Sequence, residues 1–410
     1  MVEFITWIYL FYMFIALYFL ILFTLTFIQN RKEMFDYPKL TKDYSVSVLI
    51  PAYNEEDSIE GTVKSILDLD YKNVEEIIII NDGSKDKTKE IASMLEKKYG
   101  KVILFDKTNS GKADSLNQAI KLAKGELIAV VDADSYPSQD SFKKMVGFFN
   151  DVKVGAVTTR IFVREPKTFI QKLQSIEYRV IAFSRKLLGF LDAIYVTPGP
   201  LAIYRKNALE KVGGFDTNNL TEDIEITWHL TFEGYKVKMS LEPYVTTVSP
   251  NKFKQWFKQR LRWNIGGMQT ISKYKKYFFK KGMLGFFILP FFTFSLLLGV
   301  LGLGIFIYRI LRRLIVSYLS TKYSIESEVA IITLQEINFN PSILNFFGLI
   351  LMILGAVFLL FALFYVNKSL SKKDAPFVPV IFYSIVYMTL YPIILITSLC
   401  KFLKGGKHSW

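Results

Sequence analysis

Cysteine and histidine are nearly absent from this chain. Its 410 residues include one cysteine, Cys400, and two histidines, His229 and His408. A single cysteine excludes a disulfide framework and a thiolate metal cluster, and neither histidine has a second ligand at a metal-binding spacing. We find no internal repeat and no low-complexity tract. A metal site in this chain would therefore use oxygen ligands.

The charge is strongly of one sign. The formal net charge is +14 and the pI is about 9.4. A basic balance of this size fits either a nucleic-acid partner or an anionic membrane surface. The lysines and arginines concentrate beside apolar runs, where lipid headgroups attract them. We therefore expect a lipid bilayer as partner and no nucleic acid.

A long apolar run opens the chain. Residues 4–28 are apolar apart from a few hydroxyls, and crossing a hydrocarbon core takes roughly 20 residues. A cleaved signal peptide is the alternative, but Glu3 precedes the run and Arg31 follows it, which favours a retained anchor. We predict an N-terminal transmembrane helix over residues 1–30 of an integral protein of the cell (plasma) membrane.

Further apolar stretches crowd the far end, and they predict a C-terminal transmembrane region over residues 284–410. They cover residues 284–308, 343–366 and 377–399. If all of these stretches cross the membrane, Arg309, Arg312 and Arg313 lie on its outer side. That arrangement goes against the bias that keeps basic loops in the cytoplasm. The alternative is that one stretch lies flat or re-enters, near Pro290 or the later prolines.

Residues 46–132 alternate β-branched runs with amphipathic helical stretches, which is typical of an open, mostly parallel α/β sheet. The strand-like runs are residues 46–50, 76–80, 102–105 and 127–131. The helical stretches are residues 58–67, 87–97 and 113–123. Ligands of such sheets bind beyond the carboxyl ends of the strands. A looser pattern follows, with a strand expected near residues 155–162.

Residues 168–191 and 253–277 combine aromatic and aliphatic residues with basic ones. The basic residues of the first segment are Lys172, Arg179, Arg185 and Lys186. This composition suits an amphipathic helix lying in the headgroup layer. An ordinary surface helix packed on the sheet is the alternative. We predict interfacial helices, with residues 251–283 as a separate interfacial region.

Polar residues follow the first two strands. Tyr53 and Glu55 come after the first strand, and Asp82 comes after the second, within Asn-Asp-Gly-Ser. A nucleotide base and its ribose need an apolar or aromatic wall and carboxylate acceptors, which these side chains supply. The second segment is also an ordinary turn sequence, so the prediction depends on both segments together. Lys112 opens the third helix. This position suits a lysine that binds a phosphate group, and it equally suits a solvated lysine in the first turn of a helix.

The fourth strand is followed by Asp132, Ala133 and Asp134. Carboxylates this close repel each other unless a cation lies beside them. Oxygen ligands without thiolate or histidine favour Mg²⁺ or Mn²⁺ shared with a diphosphate. We therefore predict a divalent-metal site at these aspartates.

Two later segments carry further candidates. Thr221, Glu222 and Asp223 stand where a helix is expected to begin, and capping explains one acid but not the whole group. We predict that Asp223 is the base that deprotonates an attacking hydroxyl. In the segment Gln259-Arg260-Leu261-Arg262-Trp263, arginine suits phosphate and tryptophan suits a sugar ring, although a snorkelling interfacial helix is the alternative.

In this order, the segments resemble the motif series of membrane-anchored family 2 glycosyltransferases, over roughly residues 45–267. The chain looks most like the processive β-glycan synthases of the cellulose, hyaluronan and poly-N-acetylglucosamine type. The resemblance implies a cytoplasmic, GT-A-like domain over residues 44–250, with a Rossmann-type, mostly parallel sheet flanked by helices. It also implies transfer from a nucleotide-diphosphate sugar. Relatives often have two spans before this domain and a gating segment after it, and this chain departs from that pattern.

The resemblance also implies roles for individual residues. Asp223 would be the base, within Thr221-Glu222-Asp223, and Asp134 would hold Mg²⁺ or Mn²⁺ with Asp132 nearby. Gly199, Pro200 and Leu201 would line the acceptor entrance, which Trp263 also faces. The nucleotide-sugar would contact Ala52, Tyr53, Glu55, Asp82, Lys112, Asp132, Ala133, Gln259, Arg262 and Trp263.

Three functions follow from this reading. The leading one is inverting transfer of a hexose or N-acetylhexosamine, from a UDP-sugar, to a growing β-linked polysaccharide. The alternative adds a single sugar to a membrane lipid, such as ceramide or a polyprenyl phosphate, and a small number of spans favours it. A catalytically inactive sugar-nucleotide sensor is the third. The intact acids at 132, 134 and 223 argue against a sensor, because a binding protein needs no base.

Overall fold

An eight-stranded sheet occupies the centre of the domain between the apolar ends of the chain. The computed structural model describes residues 2–326, 343–367 and 377–405. The strands are β1 (Val46–Ala52), β2 (Val74–Asp82), β3 (Val102–Lys107), β4 (Leu127–Val130), β5 (Ser135–Pro137), β6 (Val154–Val163), β7 (Ala202–Arg205) and β8 (Lys236–Thr247). Their order is β3-β2-β1-β4-β7-β6-β8-β5.

The first four strands form a parallel half-sheet, and β6 pairs with β8 in parallel. The pairs β4/β7, β6/β7 and β5/β8 are antiparallel. The predicted mostly parallel sheet is therefore confirmed. Because β1, β2 and β4 run in the same direction, the polar segments that follow them meet at one edge of the sheet.

Helices flank both faces of the sheet. Those of the domain are α2 (Ile59–Leu67), α3 (Thr88–Lys98), α4 (Lys112–Leu122), α5 (Ser141–Val146), α6 (Phe169–Phe190), α7 (Lys206–Lys211), α8 (Glu222–Phe232) and α9 (Phe253–Tyr274). The long apolar helices are α1 (Val2–Asn30), α10 (Leu289–Glu326), α11 (Ile343–Asn367) and α12 (Phe377–Leu403). Apolar residues on alternate faces of the strands build one core on each side of the sheet.

Helix α6 differs from its prediction. It lies between the sheet strands β6 and β8 and the apolar helices α11 and α12. Arg179, Arg185 and Lys186 are buried, at 7%, 6% and 5% exposure, and only Lys172 of the predicted basic face is exposed. The expectation that this face meets lipid headgroups is wrong for these three residues, because protein covers both sides of the helix. Composition alone does not reveal which element will bury a basic side chain.

Three helical segments of the described residues are long and apolar enough to cross a membrane: Thr6–Asn30, Leu284–Glu326 and Gly348–Val366. The second is longer than predicted. A π-helical turn (Leu284–Ile288) leads into α10, which continues through Arg309. Together the two have 43 residues, or about 65 Å at the α-helical rise. The helix therefore extends beyond residue 308, where the predicted apolar run ends. Arg309, the next residue, donates a hydrogen bond to the Tyr9 hydroxyl of α1 at 3.0 Å.

The predicted domain bounds stay predictions. Of the predicted N-terminal helix over residues 1–30, residue 1 lies outside the described residues. Of the predicted C-terminal region over residues 284–410, residues 327–342, 368–376 and 406–410 lie outside them.

Candidate active site

A cavity of about 490 Å³ opens beyond the carboxyl end of β4. At one end its wall contains Lys112, Asp132 and Asp134. At the other end the wall is formed by α10 and α12, with Phe292, Ser295, Leu296, Gly299, Tyr391, Pro392 and Leu395. The polar edge of the sheet is therefore continuous with the space between two apolar helices.

Lys112 is the positive centre of the polar end. Its Nζ lies 2.6 Å from Oδ1 of Asp132 and 3.0 Å from Oε1 of Glu222. Burial alone would lower the pKa of this ammonium, but Asp132 and Glu222 raise it above the ordinary value. Burial alone would likewise raise the pKa of Glu222, but Lys112 and Arg262 lower it. The sequence allows Lys112 to be either a phosphate contact or a solvated lysine. The second alternative is disfavoured, because Lys112 lines the cavity instead of facing bulk water.

Gly199 packs directly against this ion pair. Its carbonyl accepts a hydrogen bond from the Asp132 backbone N–H at 3.1 Å. A Cβ at this position would lie 2.5 Å from Oδ2 of Asp132 and 2.7 Å from Nζ of Lys112. Gly199 and Pro200 line the cavity, whereas Leu201 is fully buried in the core beneath it.

Asp134 faces the same cavity from the β4–β5 turn. Its Oδ1 accepts hydrogen bonds from the Ser135 and Thr247 hydroxyls, both at 3.1 Å. Burial, and then repulsion from Asp132, raises the pKa of Asp134 to about 6. Within residues 2–326, 343–367 and 377–405, no group of three or more His, Cys, Asp or Glu side chains is arranged as a metal site. Mg²⁺ commonly takes only one or two protein carboxylates and completes its shell with phosphate and water, so Asp132 and Asp134 fit such an ion.

Asp223 lies in the first turn of α8 and lines the cavity. Burial, and then the charge of Glu222, raises the pKa of Asp223 to about 7, although Lys112 and Arg262 oppose the shift. A carboxylate whose pKa is raised toward neutrality is a stronger base than an exposed one. Thr221 and Glu222 stand beside it and are buried.

The residues predicted to hold the base and ribose lie at the neighbouring strand ends, outside the set that lines the cavity. Tyr53 is exposed and Glu55 is half-buried, whereas Ala52 and Ala133 are buried. Burial raises the pKa of Glu55 to about 7 despite a hydrogen bond from Ser58, and repulsion from Asp134 and Asp132 contributes. Glu55 is therefore electrostatically linked to the aspartates although it follows another strand, β1.

Asp82 is a buried anchor. Its Oδ1 accepts from Lys107 Nζ at 2.6 Å and from the Ser110 N–H at 2.9 Å, and its Oδ2 accepts from the Gly111 N–H at 2.9 Å. Burial alone would raise the pKa of Asp82, but these hydrogen bonds lower it. In this structure the carboxylate fixes the loop that precedes Lys112, a role that the motif did not reveal.

Residues 47–213 match the model of glycosyl transferase family 2. This region is a family 2 glycosyltransferase domain. The chain is 34% identical over 230 residues to the poly-beta-1,6-N-acetyl-D-glucosamine synthases of Staphylococcus aureus strain MSSA476 and Staphylococcus epidermidis. That alignment covers 56% of this chain and 56% of each synthase, so the chain matches little more than half the length of these relatives.

Nearly the whole chain also superimposes on a solved structure. A mannosyltransferase of Pyrobaculum calidifontis, in complex with GDP-Man and Mn²⁺, superimposes with a TM-score of 0.58 and 20% identity. The superposition covers 93% of this chain and 94% of that one. At this identity the likeness bears on the fold alone. The predicted family and its GT-A-like fold are confirmed.

Helix α9 completes the site that the family 2 domain begins. Gln259, Arg262 and Trp263, the motif residues predicted to contact the nucleotide-sugar, line the cavity together with Asn264. Gly266, on the same helix, touches the start of α8: a Cβ there would lie 2.1 Å from the Thr221 hydroxyl oxygen. The glycine thus lets the two motifs approach each other.

Sequence reasoning missed Arg260, which lies inside the motif. This residue is fully buried and forms an ion pair with Glu177 of α6. Its guanidinium lies 4.2 Å from the centroid of the Trp263 ring and 5.2 Å from that of Trp256. A buried guanidinium between two indoles fixes their orientation. The alternation of basic and aromatic residues in this segment is the available signal, but it predicts a lipid-facing helix equally well.

Proposed function

We propose that the chain transfers a hexose or N-acetylhexosamine from a UDP-sugar, with inversion, to a growing β-linked polysaccharide at the membrane. The observation that supports this most is the single cavity that holds Asp132, Asp134 and Asp223 and continues between α10 and α12. A donor bound at the sheet edge and an acceptor arriving from the apolar helices would meet at Asp223. The synthases named above support the polymeric product.

In this proposal Asp223 accepts the proton of the acceptor hydroxyl. The hydroxyl oxygen attacks the anomeric carbon, the glycosidic bond forms, and the bond to the nucleoside diphosphate breaks on the opposite face. Lys112 and Arg262 would stabilise the departing diphosphate, since both lie close enough to influence the pKa of Glu222 and Asp223. Gln259 and Trp263 would hold the sugar rings, and Arg260 would keep Trp263 in place.

Asp132 and Asp134 would hold Mg²⁺ or Mn²⁺. When bound, such an ion neutralises charge on the diphosphate. Asp134→Ala should weaken nucleotide-sugar binding in Mn²⁺ by roughly ten- to a hundredfold, with little change in chelator. Calorimetric titrations with and without the ion measure this, and Asp70→Ala, at an exposed aspartate paired with Lys143, is the control. Equal affinity of the Asp134 variant and the parent in Mn²⁺ would count against the metal site.

We further propose that the catalytic domain faces the cytoplasm from the plasma membrane. Arg31 and Lys32 follow α1 directly, on the side where the domain begins. Basic residues next to a span are typical of its cytoplasmic end. Protease accessibility of the domain in sealed inside-out and right-side-out vesicles tests this orientation.

Sizing the product tests the polymeric acceptor. The purified full-length chain, incubated with radiolabelled UDP-sugars, should yield a ladder or high polymer. A single sugar on extractable lipid would instead support the alternative function, transfer of one sugar to a membrane lipid. The apolar wall that α10 and α12 contribute to the cavity favours this alternative. Failure to consume any nucleotide sugar would contradict both.

A further inference from the structure

Arg185 is a buried cation that the proposed reaction does not use. It lies on α6, is 6% exposed, and lines the cavity. Its Nε is buried without a hydrogen-bond partner. Across the described part of the chain, no hydrogen bond or ion pair involves its guanidinium. Its neighbour Lys186, by contrast, donates to the Met239 carbonyl at 3.2 Å.

An unpaired buried guanidinium is costly. Burial of a charge without a partner is among the least favourable arrangements in a protein interior. Burial lowers the pKa of Arg185, and the neighbouring titratable groups Tyr195 and Asp223 offset only part of that effect. Such a residue is expected where a ligand supplies the missing counter-charge.

A second unpartnered donor lines the same cavity. The Nδ2 of Asn264, on α9, is buried and has no hydrogen-bond partner. Arg185 and Asn264 both present N–H groups, which pair with oxygen acceptors. The pair therefore favours a ligand that carries an oxyanion.

The position of Arg185 separates it from the donor diphosphate. Asp132 and Glu222, at the polar end, contact Lys112, whereas the titratable groups close enough to influence the pKa of Arg185 are Tyr195, Asp223 and Tyr178. The Tyr195 ring packs edge-on against Phe292 of α10, with centroids 4.5 Å apart. Arg185 thus lies on the far side of Asp223, toward the apolar helices from which an acceptor would arrive.

We propose that Arg185, assisted by Asn264, binds an oxyanion carried by the acceptor, either a phosphate or a carboxylate. This inference rests on the proposed transferase function, because that function defines which end of the cavity receives the acceptor. The inference adds to that function that the acceptor is anionic, and it assigns the binding of its oxyanion to two residues outside the predicted site residues.

Kinetics with three matched acceptors test the proposal. The full-length chain in lipid nanodiscs is given UDP-sugar and a neutral, a phosphate-ended or a uronate-ended oligosaccharide of equal length. The acceptor KM should be roughly tenfold or more lower for one or both anionic forms, and the preferred form identifies the oxyanion.

Arg185→Gln should abolish the preference and leave the donor KM unchanged. Lys172→Gln, at the exposed basic residue of the same helix, should keep the preference. Equal KM values in the parent, or a preference that survives in Arg185→Gln, would overturn the proposal.

Acceptor-induced thermal stabilisation, measured without UDP-sugar, tests the same subsite independently of turnover. Anionic oligosaccharides should raise the melting temperature of the parent more than that of Arg185→Gln. The unliganded Arg185→Gln variant should melt at or above the parent temperature, because it removes an unpaired charge. A lower melting temperature together with unchanged acceptor binding would make Arg185 structural and refute the proposal. If no sugar is transferred but the binding preference appears, the transferase function fails and the oxyanion subsite stands.

Discussion

Asp223→Asn should lower kcat by roughly a hundred- to ten-thousandfold while leaving the dissociation constant of the nucleotide sugar nearly unchanged. Asparagine keeps the shape of the side chain but cannot accept the proton of the acceptor hydroxyl. The high pKa of Asp223 shows that its environment favours proton uptake. Single-turnover measurements with saturating donor separate the chemical step from binding.

The matched control is Asp192→Asn. Asp192 pairs with Lys238 at 2.6 Å and has a positive φ of 53°, a conformation that asparagine also tolerates. It lies outside the set of residues that line the cavity. Its kcat should match that of the parent. Substantial turnover in Asp223→Asn would remove Asp223 from the role of base.

Gly199→Ala should weaken nucleotide-sugar binding by roughly ten- to a hundredfold, the loss expected when a charged hydrogen-bonded pair is disrupted. The added methyl would meet Asp132 and Lys112 at distances well below contact. Either the ion pair opens or the backbone at 199 moves, and both outcomes alter the polar end of the cavity. Titration calorimetry measures the affinity, and the melting temperature reports any general loss of stability.

Gly100→Ala is the control for the glycine substitution, because a Cβ there meets nothing within 4 Å. It should bind nucleotide sugar as the parent does. Parental affinity in Gly199→Ala would mean that the Lys112–Asp132 pair does not shape the donor site.

Much of the sheet could be predicted because its signal is local. The apolar runs that became β1, β2 and β4 are continuous, as expected for strands buried on both faces. Parallel pairing, which includes β3, then brings the segments after these strands to one edge, so the meeting of Lys112 with Asp132 follows from the fold class. The exact partner of each side chain does not follow, and Asp82 proved to be an anchor of the loop before Lys112.

The features that sequence reasoning missed depend on contacts between distant segments. The basic and aromatic neighbours of Arg185 predict a lipid-facing surface, and only the packing of α11 and α12 against α6 reveals that this residue is enclosed. Gly266 carries no signal in its own segment, since its role is to admit Thr221 from another helix. Neither position could be recognised without the tertiary arrangement.

The shared wall of the cavity has a practical consequence. Phe292, Leu296 and Leu395 belong to helices that follow residue 277 in the chain, so a fragment ending at Tyr277 would keep Asp132, Asp134 and Asp223 but lose the apolar wall of the cavity. In the intact chain, lipids that change the spacing of α10 and α12 should alter the rate of transfer itself, making bilayer thickness a variable to control in any assay.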